Sequence, residues 1–317
     1  MKIVIPDDYQ DVIHKLDAFK LLSGHEVVRY REPARDLDEL VERLKPAECI
    51  VEIRERIDFS RALIERLPNL KLIALVGSRS RAIDYAAARD HQVLVSRGAS
   101  GSPEAPAELA VALMLAARRN VVIEAPRMQR GEWPVTLSYR LRGSTLGIFG
   151  LGHIGRLVAE VGRGLGMKVL VWGRDNSRNE ARAAGYETAA SKEELFERAD
   201  VLQLLVRLSP ETRGIVTLAD LLRMKPTALF VNVARAPLIE PGALVAALEQ
   251  GRPGYAAVDV YEQEPIIGGN HPLLKMPNVL CTPHLGWAEW DTFELYFREC
   301  FEQIVNYAEG RPLRLAN

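Results

Sequence analysis

Short apolar runs recur along the chain, separated by stretches whose apolar residues follow helical spacing. The runs typical of buried strands are KIVIP, EVVRY, ECIVEI, LKLIALV, VLVSR, TLGIFG, KVLVWG, DVLQLLV, ALFVNV, GYAAVDV and NVLCTP. Strands that alternate with helices of ten or more residues indicate βαβ units and a mostly parallel sheet. Eleven strands exceed what one compact sheet usually holds, so the pattern predicts two α/β domains.

A stretch of small residues divides this series. RGASGSPEAPAE lies after the fifth strand and leads into ELAVALMLAARRN, a helical stretch that is apolar over most of its surface. A second helical stretch, WAEWDTFELYFRECFEQIVNYAEG, follows the last strand, and Gly310 and Pro312 close it. If that helix returns to the first domain, the first domain is discontinuous. We therefore predict one domain over residues 1–98 with 286–317 and a second domain over residues 99–285.

The pattern GxGxxG falls on Gly150, Gly152 and Gly155, directly after a predicted strand and at the start of a helix. The first glycine permits a tight turn, the second lets a pyrophosphate approach the backbone, and the third lets helix and strand pack closely. The helix N-terminus adds N–H groups and a partial positive charge. This context predicts a Rossmann-type dinucleotide site, with a purely structural turn as the alternative. His153, in the same turn, either contacts the cofactor or is solvated.

The next strand ends in LVWGRD, residues 170–175. An acid that binds the ribose is expected about 20 residues after the glycines, and Gly173 occupies that place. A carboxylate there would repel a 2′-phosphate, whereas Arg174 offers a guanidinium that can pair with one. Asp175 either serves the ribose itself or is a turn residue. The stretch favours NADP(H) or dual use of NAD(P).

Composition limits the partners. The chain has 317 residues, a formal net charge of −1 and 48% hydrophobic residues, which indicates a globular protein without the charge of a nucleic-acid-binding protein. No apolar run is long enough for a signal peptide or a membrane span, so we expect a cytoplasmic protein without a membrane partner. The three cysteines are far apart, and we expect neither a disulfide framework nor a metal site.

Three further stretches carry polar residues directly after apolar strands: VNVARAPLIEPGAL, AAVDVYEQEP and VLCTPHLGW. They place Arg235, Glu264 and His284 near strand carboxyl ends, where ligands bind in open α/β sheets. An imidazole can pass a proton to an oxygen, a neighbouring carboxylate orients it, and a guanidinium grips a carboxylate substrate. Taken singly, the arginine could cap a helix, the glutamate could be a turn residue, and the histidine could be a core residue.

Five segments, in this order, resemble the D-isomer-specific 2-hydroxyacid dehydrogenase family: GLGHIGR, LSPETRGIV, LLRMKPTALFVNVARAPLIEPGALVAALEQG, AAVDVYEQEP and HPLLKMPNVLCTPHLG. That family includes phosphoglycerate dehydrogenases, formate dehydrogenases and glyoxylate/hydroxypyruvate reductases. The resemblance covers nearly the whole chain. It implies a Rossmann-type cofactor domain inserted in a flavodoxin-like substrate domain, hydride transfer between NAD(P)H and a small 2-keto or D-2-hydroxy acid, and a homodimer.

The resemblance also implies roles for single residues. Arg235 matches the arginine that binds the substrate carboxylate and carbonyl, Glu264 the carboxylate paired with the catalytic histidine, and His284 that histidine, the general acid in reduction. The segment VGSRSRAID resembles the loop that holds the substrate carboxylate, and IRERIDF a segment that meets the substrate's anionic end. The substrate-binding residues implied are Arg54, Gly77 and Ser78. The further cofactor-binding residues implied are Ile154, Thr212, Val233, Ala234 and Asp259, the last beside the nicotinamide carboxamide.

The chain departs from the family pattern in two places. Leu205 and Arg207 replace the His and Pro of the usual H-x-P-L, and Trp287 stands where the usual H-x-G-G has a small residue, with Trp290 one turn further on. A large indole here either narrows the substrate pocket or seals the face between the domains, or both tryptophans pack the C-terminal helix, so the identity of the substrate stays open. A relative that acts on formate is disfavoured because those enzymes carry Gln at the position of the paired glutamate. The alternative from another class is a regulatory protein that senses nicotinamide nucleotides through a retained dehydrogenase fold.

Overall fold

The computed structural model describes residues 1–98, 101–311 and 313–316. The chain divides into two compact units, Met1–Ser102 with Ala288–Asn317 (unit 1) and Pro103–Trp287 (unit 2). The predicted boundaries, after residues 98 and 285, lie a few residues before these. Their assignment as substrate and cofactor domains stays a prediction. Ala99, in the predicted linker, and Pro312, in the predicted helix stop, lie outside the described residues.

The elements follow one another as alternating strands and helices. The β-strands are β1 Lys2–Ile5, β2 Glu26–Arg29, β3 Cys49–Glu52, β4 Leu72–Leu75, β5 Leu94–Ser96, β6 Thr145–Phe149, β7 Lys168–Trp172, β8 Glu187–Thr188, β9 Val201–Leu204, β10 Leu229–Asn232, β11 Tyr255–Val258 and β12 Val279–Cys281. The α-helices are α1 Leu37–Leu44, α2 Arg61–Ile64, α3 Tyr85–Asp90, α4 Glu104–Arg118, α5 Val121–Gln129, α6 His153–Gly164, α7 Asp175–Ala183, α8 Lys192–Arg198, α9 Leu218–Arg223, α10 Ala243–Glu249 and α11 Trp290–Ala308.

Unit 1 is built on a parallel five-stranded sheet in the order β2-β1-β3-β4-β5. Strands β3 and β4 are buried along their whole length, as expected for a parallel sheet covered on both faces. The C-terminal helix α11 packs against β4 and the short 3-10 helix Asp17–Leu22. Its buried face includes Phe293, Phe297 and Phe301. The last helix therefore belongs to the first unit, which is discontinuous in sequence.

Unit 2 holds a parallel seven-stranded sheet in the order β12-β11-β10-β9-β6-β7-β8. The chain runs outward from β6 to β8 and then returns to β9 on the other side of β6. This reversal is the switch point at which Rossmann-type sheets bind dinucleotides. Helix α4 packs against α6, β10 and β11 on one face, while α8, α9 and α10 pack on the other.

The predicted fold class is confirmed, since both sheets are parallel and their strand orders are those of a flavodoxin-like and a Rossmann-type domain. Two elements were not predicted. Strand β8 is only two residues long and half exposed, so it lacks an apolar run. Helix α5 has no buried residue among its nine, and its apolar side chains gave no amphipathic signal. Among the described residues, no helix combines the length and apolar character needed to cross a bilayer.

Candidate active site and cofactor site

The glycine turn of unit 2 joins β6 to α6, and each glycine meets a different constraint. Gly150 has a left-handed φ of 96°, and a Cβ there would lie 3.2 Å from the Leu205 carbonyl oxygen. A Cβ on Gly155 would lie 2.5 Å from the Gly150 carbonyl oxygen, whereas nothing lies within 4 Å of one on Gly152. The first and third glycines therefore serve backbone packing, and the second leaves open space above the turn. This is the arrangement that a pyrophosphate requires.

The residues beside this turn differ in exposure. His153 is exposed at the start of α6, and Ile154 is half-buried. Arg156, one turn along the helix, forms an ion pair with Glu180 of α7. The structure thus places His153 and Ile154, the two predicted cofactor residues, next to the glycines. Their contact with a cofactor stays a prediction.

The end of β7 lies beside the glycine turn. A Cβ on Gly173 would lie 3.2 Å from the Ser177 side chain and 3.6 Å from the Gly150 Cα. Ser177 accepts a 3.3 Å hydrogen bond from the Leu151 N–H, which links α7 to the turn. Arg174 precedes the first residue of α7. Gly173 and Arg174 therefore border the place where the ribose of a dinucleotide is expected.

Asp175 begins helix α7, and its carboxylate pairs with Arg178 one turn further along. Its side chain is 86% exposed. This placement favours the helix-start interpretation of Asp175 over a direct role at the ribose. The pKa of Glu211, in the loop after β9, is lowered, chiefly by the hydrogen bond of the Ser209 hydroxyl. The positive charge of Arg174 makes a smaller contribution, so Arg174 lies near this loop.

Thr212 lies in the loop after β9 and is buried. Its hydroxyl donates a 2.7 Å hydrogen bond to the Arg207 carbonyl oxygen and accepts one of 2.7 Å from the Ser209 N–H. Both bonds close the loop on itself. The hydroxyl thus holds the backbone of this loop in place, and the predicted contact of Thr212 with the cofactor is untested.

The loop after β10 carries Arg235 and is held by a residue that the sequence did not single out. The buried Asn232 side chain accepts a 3.0 Å hydrogen bond from the Ala234 N–H and donates one of 3.2 Å to the Arg235 carbonyl oxygen. The Arg235 guanidinium in turn donates to the Ala234 carbonyl oxygen at 2.7 Å. Val233 is buried at the strand end. An amide at the end of an apolar strand was the available signal for Asn232.

Glu264 and His284 are brought into direct contact. The His284 Nδ1 lies 2.5 Å from a Glu264 carboxylate oxygen, and the other oxygen accepts a 2.8 Å hydrogen bond from the Tyr261 N–H. Burial raises the pKa of Glu264, but the hydrogen bond and charge of His284 outweigh it, with a smaller contribution from Arg235, and the net pKa is lowered. The carboxylate therefore stays ionised beside the imidazole and orients it through Nδ1, which directs proton exchange to Nε2.

Asp259 holds the turn that carries His284. Its fully buried carboxylate accepts hydrogen bonds from the Thr282 hydroxyl at 2.6 Å, the Leu285 N–H at 2.8 Å and the Gly286 N–H at 2.9 Å. Burial raises its pKa. These bonds span His284, which has a left-handed φ of 52°. Asp259 is thus a positioning residue for the histidine, and its predicted place beside the nicotinamide stays a prediction.

The predicted substrate-binding residues lie together in unit 1. Arg54 has a left-handed φ of 52°, and a Cβ on Gly77 would lie 3.2 Å from its guanidinium nitrogen Nη1. Ser78 follows and is half-buried. The two tryptophans differ: Trp287 is buried in unit 2, whereas Trp290 starts α11 of unit 1 and is 53% exposed.

A family model described as "D-isomer specific 2-hydroxyacid dehydrogenase, NAD binding domain" matches residues 111–286. The chain belongs to this family. A glyoxylate reductase of Aeropyrum pernix is 33% identical over 95% of this chain and 92% of its own length. A structure described as a putative D-3-phosphoglycerate dehydrogenase oxidoreductase from Ralstonia solanacearum is 47% identical, covers 100% of this chain and 96% of its own, and superposes with a TM-score of 0.95.

A D-3-phosphoglycerate dehydrogenase of Methanocaldococcus jannaschii is 37% identical over 95% of this chain, which spans only 57% of that relative's length. The predicted family is thus confirmed. All three of these relatives carry the names of oxidoreductases, and none supports the regulatory alternative. Their names differ in substrate, so the 2-hydroxy acid does not transfer from them.

We expect a methyl group on Gly155 to push α6 away from the glycine turn. Gly155→Ala should lower the free energy of unfolding by about 1–3 kcal/mol, as overpacking does, and weaken NAD(P)H binding at least about tenfold. Gly164→Ala, in the last turn of the same helix, has no atom within 4 Å of the new Cβ and should not weaken binding. Thermal unfolding and fluorescence titration with NAD(P)H measure both effects. Equal affinity in the two variants would contradict the role of the close approach.

Proposed function

We propose that the protein is an NAD(P)-dependent oxidoreductase that transfers a hydride between the cofactor and a small 2-keto or D-2-hydroxy acid. The contact between His284 and Glu264 supports this most directly, because an oriented imidazole is what reduction of a carbonyl requires. It lies in the same unit as a glycine turn whose open second position suits a pyrophosphate. A cytoplasmic location and the lack of nucleic-acid and membrane partners stay predictions.

Each residue has a defined part in this proposal. A bound nicotinamide supplies or accepts the hydride. His284 donates a proton from Nε2 to the keto oxygen in reduction and removes it in oxidation, while the Glu264 carboxylate stabilises the imidazolium. Arg235 binds the substrate carboxylate and the carbonyl oxygen through its fork of N–H donors. In unit 1, the backbone amides of Gly77 and Ser78 hold the substrate carboxylate, and Arg54 meets the substrate's other end.

Replacement of His284 tests this mechanism. His284→Ala should reduce kcat with a 2-keto acid by about 10²- to 10⁴-fold, the usual contribution of a positioned proton donor, and leave NADH or NADPH binding intact. The matched control is His271→Asn, since His271 also contacts a carboxylate, that of Glu262 at 3.0 Å, but receives no role in the reaction. The substrate for these measurements is first identified by assaying a panel of 2-keto acids with both cofactors. Undiminished turnover by the alanine variant would refute the mechanism.

We further propose that the enzyme uses NADP(H) or both cofactors. Gly173 places no carboxylate at the end of β7, and Asp175 is paired with Arg178, so neither opposes a 2′-phosphate. Arg174 supplies a guanidinium at the same strand end. Charged side chains close to the 2′-phosphate dominate the choice between NADPH and NADH, because that phosphate carries nearly two negative charges.

An acid at position 173 should reverse this preference. In Gly173→Asp, the KM for NADPH should rise at least about tenfold through repulsion of the 2′-phosphate, while the KM for NADH stays the same or falls. Gly173→Asn is the control for steric effects, since its side chain has the same size, meets Ser177 in the same way and carries no charge. Steady-state kinetics with both cofactors provides the measurement. A wild-type enzyme that strongly prefers NADH would refute the proposal.

We also propose a homodimer through the segment 121–139 of unit 2. The segment exposes large apolar side chains, including Leu137 at 93% and Trp133 at 78%; the others are Val121, Val122, Ile123, Met128, Val135 and Tyr139. It is held in place, because the Glu124 carboxylate accepts hydrogen bonds from the Val135 and Thr136 N–H groups at 3.1 and 2.8 Å. Ordered apolar patches of this kind mark protein interfaces.

Charges within the segment should separate the subunits. We expect sedimentation of the wild-type protein at twice the 35.3 kDa of one chain, and of Val135→Glu/Leu137→Glu at the mass of one chain, because burying two carboxylates at an interface is costly. Leu37→Glu, at an exposed position of α1 in unit 1, should stay dimeric. A wild-type monomer, or a double variant that remains a dimer, would rule out this interface.

A further inference from the structure

Arg54 is held on two sides within unit 1. Its guanidinium carbon lies 5.4 Å from the centre of the Tyr296 ring, over the ring face. On another side, its Nη1 would lie 3.2 Å from a Cβ at Gly77, a close contact that glycine avoids. The left-handed backbone of Arg54, an unfavourable conformation for a residue with a side chain, brings the guanidinium to this place.

Tyr296 is itself fixed in α11. It is 6% exposed, and Phe293, one turn earlier, and Phe297, the next residue, are also buried. Its hydroxyl oxygen would lie 1.8 Å from a Cβ on Gly101, so the chain passes directly against the ring edge. A buried ring that cannot shift provides a rigid face for a cation.

The two loops that carry Arg54 and Gly77 are tied to each other by buried polar groups. Glu52, which is 2% exposed at the end of β3, accepts hydrogen bonds through one oxygen from the Glu55 N–H at 2.5 Å and the Ser80 hydroxyl at 3.2 Å. Glu55 in turn accepts a 2.8 Å hydrogen bond from the Arg81 N–H. The loop after β3 and the loop after β4 therefore keep one spacing.

Keeping this carboxyl group buried is unfavourable. Burial raises the pKa of Glu52 to about 7, which means that the protein destabilises the charged form to keep the group there. An apolar residue would fill the space without that cost. The protein keeps Glu52 despite this unfavourable burial. This agrees with a role in binding for the spacing of the two loops, where an exact position of Arg54 relative to Gly77 matters.

We propose that Tyr296 is a positioning and specificity-determining residue: its ring seats the Arg54 guanidinium beside Gly77, so that Arg54 selects 2-keto acids bearing a second anionic group, a carboxylate or a phosphate. A guanidinium on an aromatic face donates from its edge, which suits a bidentate contact with such a group. This inference rests on the proposed function, since Arg54 and Gly77 are substrate-binding residues only within it.

Matched substrate pairs test the selection: 2-oxoglutarate against 2-oxopentanoate, and hydroxypyruvate 3-phosphate against hydroxypyruvate. Within each pair the two members differ by the second anionic group: the terminal carboxylate of 2-oxoglutarate is a methyl group in 2-oxopentanoate, and the phosphate ester is a hydroxyl group in hydroxypyruvate. The wild-type enzyme should prefer, in kcat/KM, the member with the second anionic group. In Tyr296→Leu this preference should fall by about 3- to 30-fold, through KM rather than kcat, which is the range expected for loss of a cation–π contact. Tyr296→Phe keeps the ring and should keep the preference.

Two controls separate positioning from general damage. Tyr307→Leu makes the same change in the same helix, away from Arg54, and should keep the preference. Arg54→Gln should abolish the preference, and Tyr296→Leu added to it should cause no further loss, because both act through one contact. If Tyr296→Leu does not fold, Arg54→Lys replaces it: an ammonium lacks the flat face that seats on the ring, so the preference should fall in the folded variant.

Specific outcomes overturn the proposal. A wild-type enzyme without preference for the member with the second anionic group, equal losses on both members in Tyr296→Leu, or additive losses in the double variant would each do so. Absence of turnover with every 2-keto acid would instead refute the proposed function. In that case calorimetric titration of 2-oxoglutarate into the wild-type protein and Tyr296→Leu still tests the anion site, and equal affinities, or no binding to either, would refute it.

Discussion

The close approach of helix α6 to the end of strand β6 is the constraint on which the rest of unit 2 depends. The Gly150 carbonyl oxygen and the Gly155 backbone are so near that no side chain fits between them. That approach sets the helix N-terminus at the switch point of the sheet, where its N–H groups are available to an anion. It also brings the start of the helix beside Gly173 at the end of β7, so in the proposed function phosphate binding and cofactor choice depend on neighbouring pieces of backbone.

In unit 2, the loops that carry Arg235 and His284 are held in place by other polar residues. Asn232 brackets the loop of Arg235, and Asp259 brackets the turn of His284. Each uses a buried side chain to satisfy backbone groups that a strand end leaves without ladder partners. The histidine is thereby fixed by its backbone and by Glu264. Two restraints on one side chain give the pre-organisation that proton transfer requires, because little reorganisation is left for the reaction.

In unit 1, too, a buried polar side chain holds loops in place, but here the side chain joins two loops to each other. Its loops after β3 and β4 are joined by Glu52, a carboxyl group whose burial costs stability, and a tyrosine from the C-terminal helix seats a cation beside them. In the proposed function, the last helix of the chain thus contributes to substrate binding as well as to the core.

The sequence alone determined the fold class, the family and most of the candidate residues, because these depend on local patterns. Apolar runs, helical spacing and glycine spacing follow from backbone geometry within a few residues. Strand β8 and helix α5 were not predicted because neither buries an apolar face. Only the tertiary structure revealed that Asn232, Asp259 and Glu52 hold loops together, that Tyr296 lies against Arg54, and that Asp175 pairs with Arg178. These facts depend on contacts between residues distant in sequence, or on side-chain direction, and no short-range pattern records either.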